Sequence, residues 1–228
     1  MVTDGQSSYN IARAQALGHT VTTRTMSSTI ATPVAQLLGF DAIFLSPGAP
    51  SATFDLLRFG VTDGGRLQQY AYYGGTLVLN VSCSQGQGLI APGGVNFCCT
   101  SPGHNAEQLT TPDHPYLTGA GYGGQVLSAS RFLNWNQTDH GYLSDVPGGG
   151  AVILSNSDGP ALVAYPVGGG AMQGRVLVST LNYGWATGGD ARGAPLDNLL
   201  DYALVPEPVT LLLLLGGSGM VLRRRRAA

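Results

Sequence analysis

The pattern of apolar and polar positions divides the chain into three stretches of different character. In the first, Val2-Thr3-Asp4-Gly5 has the form of a strand end entering a turn. Ile11, Ala14 and Leu17 then recur at helical spacing and Gly18 follows, which predicts a helix over Tyr9 to Leu17. Val21 to Thr25 is short and β-branched and predicts a strand, and Pro33 to Leu38 predicts a short helix. Asp41 to Ser46 predicts a buried strand closed by the loop Pro47-Gly48-Ala49-Pro50. A helix is predicted from Gly65 to Tyr73, ending at Gly74-Gly75. Thr76 to Ser82 follows as the most apolar strand, with Cys83 at its end. Strands that are apolar throughout and alternate with helices predict a mostly parallel sheet with helices on both faces, a three-layer α/β fold.

After Gly94 the pattern changes. Gln125 to Ser130, Ala151 to Leu154, Ala161 to Tyr165 and Arg175 to Thr180 are short apolar segments separated by Gly, Pro, Asn and Asp. They predict hairpins, one of them turned at Gly168-Gly169-Gly170. Pro195 to Ala203 predicts a last helix, with Leu196, Leu199, Leu200 and Ala203 on one face. No internal repeat is present in the sequence.

The third stretch is the tail. Pro206 and Pro208 stop a helix from entering the apolar run Val209 to Leu222, and Arg223, Arg224, Arg225 and Arg226 close it. The run has 14 residues. As a helix it reaches about 21 Å, against roughly 30 Å for a hydrocarbon core. The pattern predicts a short hydrophobic helix serving as a removable anchor, its arginines held inside by the positive-inside bias.

Composition narrows the classes. The 228 residues suit one domain plus the tail, with 34 glycines and only 11% charged residues. Without the tail's four arginines and Glu207 the body carries about −5, which gives no electrostatic footprint for nucleic acid. The three cysteines, Cys83, Cys98 and Cys99, have no metal-type spacing, and an exported chain can pair Cys83 with either of the adjacent two. Met1 to Gly5 has neither a basic nor an apolar region, so the expectation is a true start upstream that encodes an export signal.

The tail, Val205, Pro206, Glu207 and Pro208, then the apolar run, then the four arginines, resembles the PEP-CTERM sorting signal of Gram-negative bacteria. The same tail is also known as the C-terminal domain of ice-binding proteins, a name for the tail and not an activity of the body. The resemblance implies processing by an exosortase-type membrane enzyme near Pro206-Glu207-Pro208. It also implies transient residence in the inner membrane through residues 209–222, and a final place at the cell surface or outside the cell.

The body carries a second resemblance. Gly75 to Gly94, with Cys83 at a strand-to-helix elbow, and Asp41 to Gly48 before it resemble the nucleophile strand and oxyanion loop of the class I glutamine amidotransferase-like superfamily. His114 to Gly119 and Gly174 to Tyr183 resemble later elements of its trehalose-utilisation-like members. The resemblance implies a flavodoxin-like or amidotransferase-like domain over residues 1–204, preceding the tail at 205–228. Two departures count against amidotransferase chemistry. Gln85 stands where the elbow needs a small residue, with glycine one later at Gly86. The family's histidine and acid after the last strand are replaced by Leu181-Asn182-Tyr183-Gly184-Trp185, and no histidine follows His140. A thiol of pKa about 8.5 without a base stays protonated at neutral pH, so Cys83 reads either as a nucleophile or as a small buried strand-end residue.

His104, His114 and His140 with Glu107, Asp113 or Asp139 match no metal-ligand spacing. Trp135, Tyr142, Tyr183 and Trp185 lie among polar residues and suit either sugar stacking or core packing. The sequence therefore implies no cofactor and no metal. It favours an exported, non-catalytic binding or matrix module with extracellular polysaccharide as partner. The alternative is a Cys83-dependent or otherwise unassigned hydrolase of a small amide, ester or sugar.

Overall fold

A six-stranded sheet runs through the body, with helices on both of its faces. The structure, a computed structural model, describes residues 8–45, 61–62, 64–81, 88–100, 108–135, 141–169, 172–181, 183, 189–190 and 192–204. The strands are β1 (Ala42–Leu45), β2 (Thr76–Asn80), β3 (Asn96–Cys98), β4 (Gln108–Leu109), β5 (Tyr142–Ser144), β6 (Ala151–Ser155), β7 (Pro160–Gly169) and β8 (Met172–Ser179). The helices are α1 (Ser8–Ala16), α2 (Met26–Ala31), α3 (Val34–Leu37), α4 (Arg66–Tyr72), α5 (Pro115–Thr118) and α6 (Ala194–Ala203), with a 3-10 turn at Ala129–Phe132.

The sheet is mixed rather than mostly parallel. β1, β2 and β8 are parallel neighbours, whereas β7, β6 and β4 continue the sheet by antiparallel pairings. β7 and β8 pair antiparallel as the predicted hairpin requires, but the pairing includes Gly168 and Gly169, opposite Gln173 and Met172, and so runs past the predicted turn position. β3 and β5 form a separate antiparallel pair.

Alternation along the strands fills two cores. Ile43, Leu77, Leu79, Val176 and Val178 meet Leu67 and Tyr70 of α4 on one face. Ala42, Phe44, Val78 and Leu177 meet Ala14 of α1 and Leu196, Leu199 and Leu200 of α6 on the other. Leu79 is fully buried, so truncating it to alanine costs about 2–5 kcal/mol. On the first face α4 lies so close to β8 that a Cβ at Gly174 would overlap the Ala71 carbonyl.

Two predicted strands do not form. Residues 21–25 are β-branched, yet most are exposed, and Thr25 instead caps α2, its hydroxyl accepting from the Ser28 N–H at 3.2 Å. Around Gln125 the strand partner is replaced by a side chain. Asn198 accepts from the Gln125 N–H at 2.9 Å and donates to the Gln125 and Tyr116 carbonyls at 2.7 Å each.

Among the described residues no helix is long and apolar enough to cross a membrane. The tail and its candidate residues Val205 to Pro208 and Arg223 to Arg226 lie outside the described residues, as do the predicted start of the chain, Pro47 to Pro50 and Cys83.

Candidate functional site

Three parallel strands end together at one edge. The register pairs Leu45 with Leu79 and Asn80 with Ser179, and the Val81 N–H continues the ladder to the Ser179 carbonyl at 2.8 Å. Asn80 and Ser179 follow Val78 and Leu177 in the alternation, so their side chains lie on the face covered by α1 and α6.

Those two helices run side by side in the same direction. The Tyr9 hydroxyl donates to the Arg192 carbonyl at 2.9 Å, Arg13 forks onto the Asp197 carboxylate, and His19 Nε2 lies 2.8 Å from Asp201. Their polarity follows from Arg175, which pairs with Thr76 at the start of β2 and donates to the Tyr202 and Ala203 carbonyls at 2.8 and 3.1 Å, so that it caps the end of α6. The end of α6 thus lies at the amino edge of the parallel strands, and the starts of α6 and α1 lie at their carboxyl edge. Two helix N-termini converge where Asn80 and Ser179 sit, which favours a carbonyl oxygen, a hydroxyl or an anion there.

Asn80 stands out chemically. It is 2% exposed, and neither its amide oxygen nor its amide nitrogen has a hydrogen-bond partner among the described residues. Other buried asparagines are satisfied: Asn198 holds three backbone groups, and Asn156 donates to the Gly141 carbonyl while accepting from the Asp158 and Gly159 N–H groups. An orphaned amide costs about 1–3 kcal/mol, which a fold retains for a reason. Asn10, in the first turn of α1, is buried at the same edge, and the Ser179 hydroxyl accepts from the Leu181 N–H at 3.2 Å. None of these three drew notice in the sequence. The available signal was a polar residue between Leu79 and Val81 in an otherwise apolar strand.

The sequence's own candidates distribute differently. His114 caps α5, its Nδ1 accepting from the Tyr116 N–H at 3.2 Å and its ring lying edge-on to Tyr202 at 5.1 Å. Burial first, and then the charge of Arg175, push its pKa down to about 4. Tyr202 and Arg175 place it at the amino edge, a strand's length (about 13 Å) from the end of β2. His19 is also at that edge, on the rim of a cavity of ≈ 230 Å³ floored by Phe44 and Leu200. Asp113 is exposed, and His104, His140, Glu107 and Asp139 lie outside the described residues. Among the described residues no cluster of His, Cys, Asp or Glu is placed to hold a metal. Trp135 and Tyr183 are core residues packed edge to face at 5.8 Å, Tyr142 is half-buried in β5, and Trp185 lies outside the described residues. Cys99 is disulfide-bonded and Cys98 is free.

No family model matches the chain, and no curated protein matches it. Solved structures do. Cytoplasmic protein STM3548 from Salmonella typhimurium superposes with a TM-score of 0.56 at 14% identity, over 88% of this chain and 86% of that one. Cytoplasmic protein STM1381 from Salmonella typhimurium LT2 gives 0.54 at 13% identity, over 90% and 89%. The mmIFT52 N-terminal domain gives 0.53 at 12% identity, over 87% and 93%. At such identities the likeness defines a fold, a mixed α/β domain with a multi-stranded sheet.

These findings overturn the sorting reading of the sequence. The PEP-CTERM assignment through Val205 to Pro208 and Arg223 to Arg226 finds no family match, and two structures sharing the fold are described as cytoplasmic proteins. The exosortase partner, the anchor through residues 209–222, the passage from inner membrane to cell surface and the extracellular polysaccharide module are corrected with it.

Proposed function

We propose that residues 1–204 form one domain of the amidotransferase-like type and that it hydrolyses a small amide, ester or sugar at the carboxyl edge of β1, β2 and β8. In this reading Asn80 and the starts of α1 and α6 hold the substrate's carbonyl or hydroxyl oxygen. Cys83, three residues beyond Asn80, is the nucleophile. The observation that carries the reading is Asn80, a fully buried amide left without a partner among the described residues at the edge where open α/β sheets take their ligands.

The general base is His140 or His104. His114 and His19 are at the wrong edge, whereas His140 directly precedes Gly141, whose backbone lies against the Cys98 carbonyl beside the bonded Cys99. His104 follows Cys99 by five residues. A histidine of ordinary pKa near 6.5 suits proton transfer at neutral pH.

The test uses p-nitrophenyl acetate, a p-nitroanilide and a p-nitrophenyl glycoside as probes of the three substrate classes. The expectation is turnover of at least one, lost in Cys83→Ser and reduced about a hundredfold in the variant of whichever histidine is the base. Turnover that survives Cys83→Ser, or no turnover of any class by reduced protein, refutes the reading.

A further inference from the structure

On the face of the sheet opposite Asn80, a groove of ≈ 480 Å³ runs between α4 and the turn that links Ala91 to Val95. The turn is tight: the Ala91 N–H donates to the Val95 carbonyl at 2.8 Å, and the Gly94 N–H donates to the Ala91 carbonyl at 2.9 Å. Val61, Thr62, Gln68, Tyr72, Ile90 and Gly93 are among the residues that line the groove, and none of the described lining residues carries a charge. Tyr72 is 39% exposed and Ile90 is 55% exposed. Two of the five large apolar side chains exposed on the described surface therefore stand at this one groove, which marks it as a place for a ligand.

A polar group lies beneath it. Tyr165 of β7 is 2% exposed, and its hydroxyl has no hydrogen-bond partner among the described residues. The Tyr165 ring abuts the wall at Gly93, where a Cβ would stand 2.8 Å from its Cε2; that glycine, at φ +91°, is what lets ring and turn approach. Burial first, and then the neighbouring Tyr72 phenol, raise the pKa of Tyr165, which keeps it a neutral hydroxyl able to donate. A buried hydroxyl left unpaired is a cost that folds rarely retain. We infer that the groove binds a small uncharged aromatic ring carrying one hydroxyl or carbonyl, laid along Tyr72 and Ile90 with its polar atom on the Tyr165 hydroxyl. The uncharged lining disfavours carboxylates and amines, and apolar walls above one deep hydroxyl suit a ring better than a polyol. The volume falls within the range of about 300–1,000 Å³ usual for small-molecule sites. Nothing here rests on hydrolysis at Asn80, which lies across the sheet.

Ligand-observed NMR titration of the full chain at neutral pH, with p-cresol, toluene, benzoate and glucose as probes, tests the site. p-Cresol is expected to bind about five- to tenfold more tightly than toluene, the worth of one hydrogen bond, and more tightly than benzoate or glucose. Tyr165→Phe brings p-cresol down to the level of toluene and leaves toluene unchanged. Tyr72→Ala weakens p-cresol and toluene together and keeps their ratio, whereas Asn80→Val leaves p-cresol binding as it was. Equal affinities of p-cresol and toluene for the native chain overturn the inference, and so does a preference for p-cresol that survives Tyr165→Phe. Loss of p-cresol binding in Asn80→Val also overturns it, by moving the site to the strand edge. Tighter binding of glucose or benzoate overturns the ligand class. The probe comparison on the native chain needs no variant, so it decides the matter even if Tyr165→Phe fails to fold.

Discussion

Replacing Asn80 by valine separates the two demands placed on that position. The amide is 2% exposed with neither polar atom paired among the described residues, so its removal relieves a desolvation cost of about 1–3 kcal/mol. Valine is close to asparagine in size and suits the central strand β2, where strand preference adds up to about 1 kcal/mol. The variant is therefore expected to be more stable by about 1–3 kcal/mol. For a chain of this length that is roughly 2–4 °C in melting temperature per kcal/mol. The same substitution removes the group that holds the substrate oxygen, and kcat/KM for the probe ester falls about tenfold or more, the equivalent of about 1.4 kcal/mol. Urea unfolding measures the first effect and steady-state kinetics of the reduced protein the second. Opposite movements of stability and activity are the signature of a retained functional cost. A destabilised Asn80→Val would mean that the amide is a structural staple like Asn198, and the site argument would fail with it.

Three further outcomes follow from the described geometry. Gly174→Ala lowers stability by about 1–3 kcal/mol in urea unfolding, because the new methyl overlaps the Ala71 carbonyl; an unchanged midpoint would place α4 farther from β8. Tyr165→Phe is neutral or stabilising, since burial without a partner among the described residues raises that phenol's pKa, whereas Tyr116→Phe costs about 1 kcal/mol by breaking contacts of 2.9 Å to the Tyr183 hydroxyl and 3.2 Å to the Pro195 carbonyl. Equal effects of the two would refute the distinction. His114 has its folded pKa lowered from 6.5 to about 4, so the unfolded chain takes up a proton that the folded chain refuses. The stability it contributes is complete above pH 6.5 and is lost as the pH falls toward 4. His114→Asn keeps an acceptor at the cap and abolishes that limb of the stability profile, and a limb that persists assigns it to another group.

Long periodic segments and apolar runs were legible in the sequence. α6 follows from Leu196, Leu199, Leu200 and Ala203 behind Pro195, and β1, β2, β6, β7 and β8 follow from their apolar runs. β3, β4 and β5 escaped because two or three residues carry no period. The orientation of β8 escaped for a different reason. Local pattern marks a hairpin with β7, but only tertiary structure shows that the other edge of β8 pairs in parallel with β2. On α1 the sequence pointed to Ile11, Ala14 and Leu17, whereas the fully buried positions are Asn10 and Ala14. That shift of one position hid a polar group inside the interface with the sheet. His114 matched no metal-ligand spacing in the sequence, and its place as the cap of α5 needed the structure to see.

The two edges of the parallel strands are electrostatic opposites, and this bears on where chemistry is located. At the amino edge Arg175 closes the last carbonyls of α6, and His19 lies against Asp201. Along the seam between α1 and α6, Arg13 and Asp197 close a partly buried pair. At the carboxyl edge the balance is left open. Gly193 begins α6 without a side-chain cap, and Asn80 faces the same region with its amide unsatisfied among the described residues. A fold that satisfies one edge and leaves donors unspent at the other concentrates its binding capacity at the second.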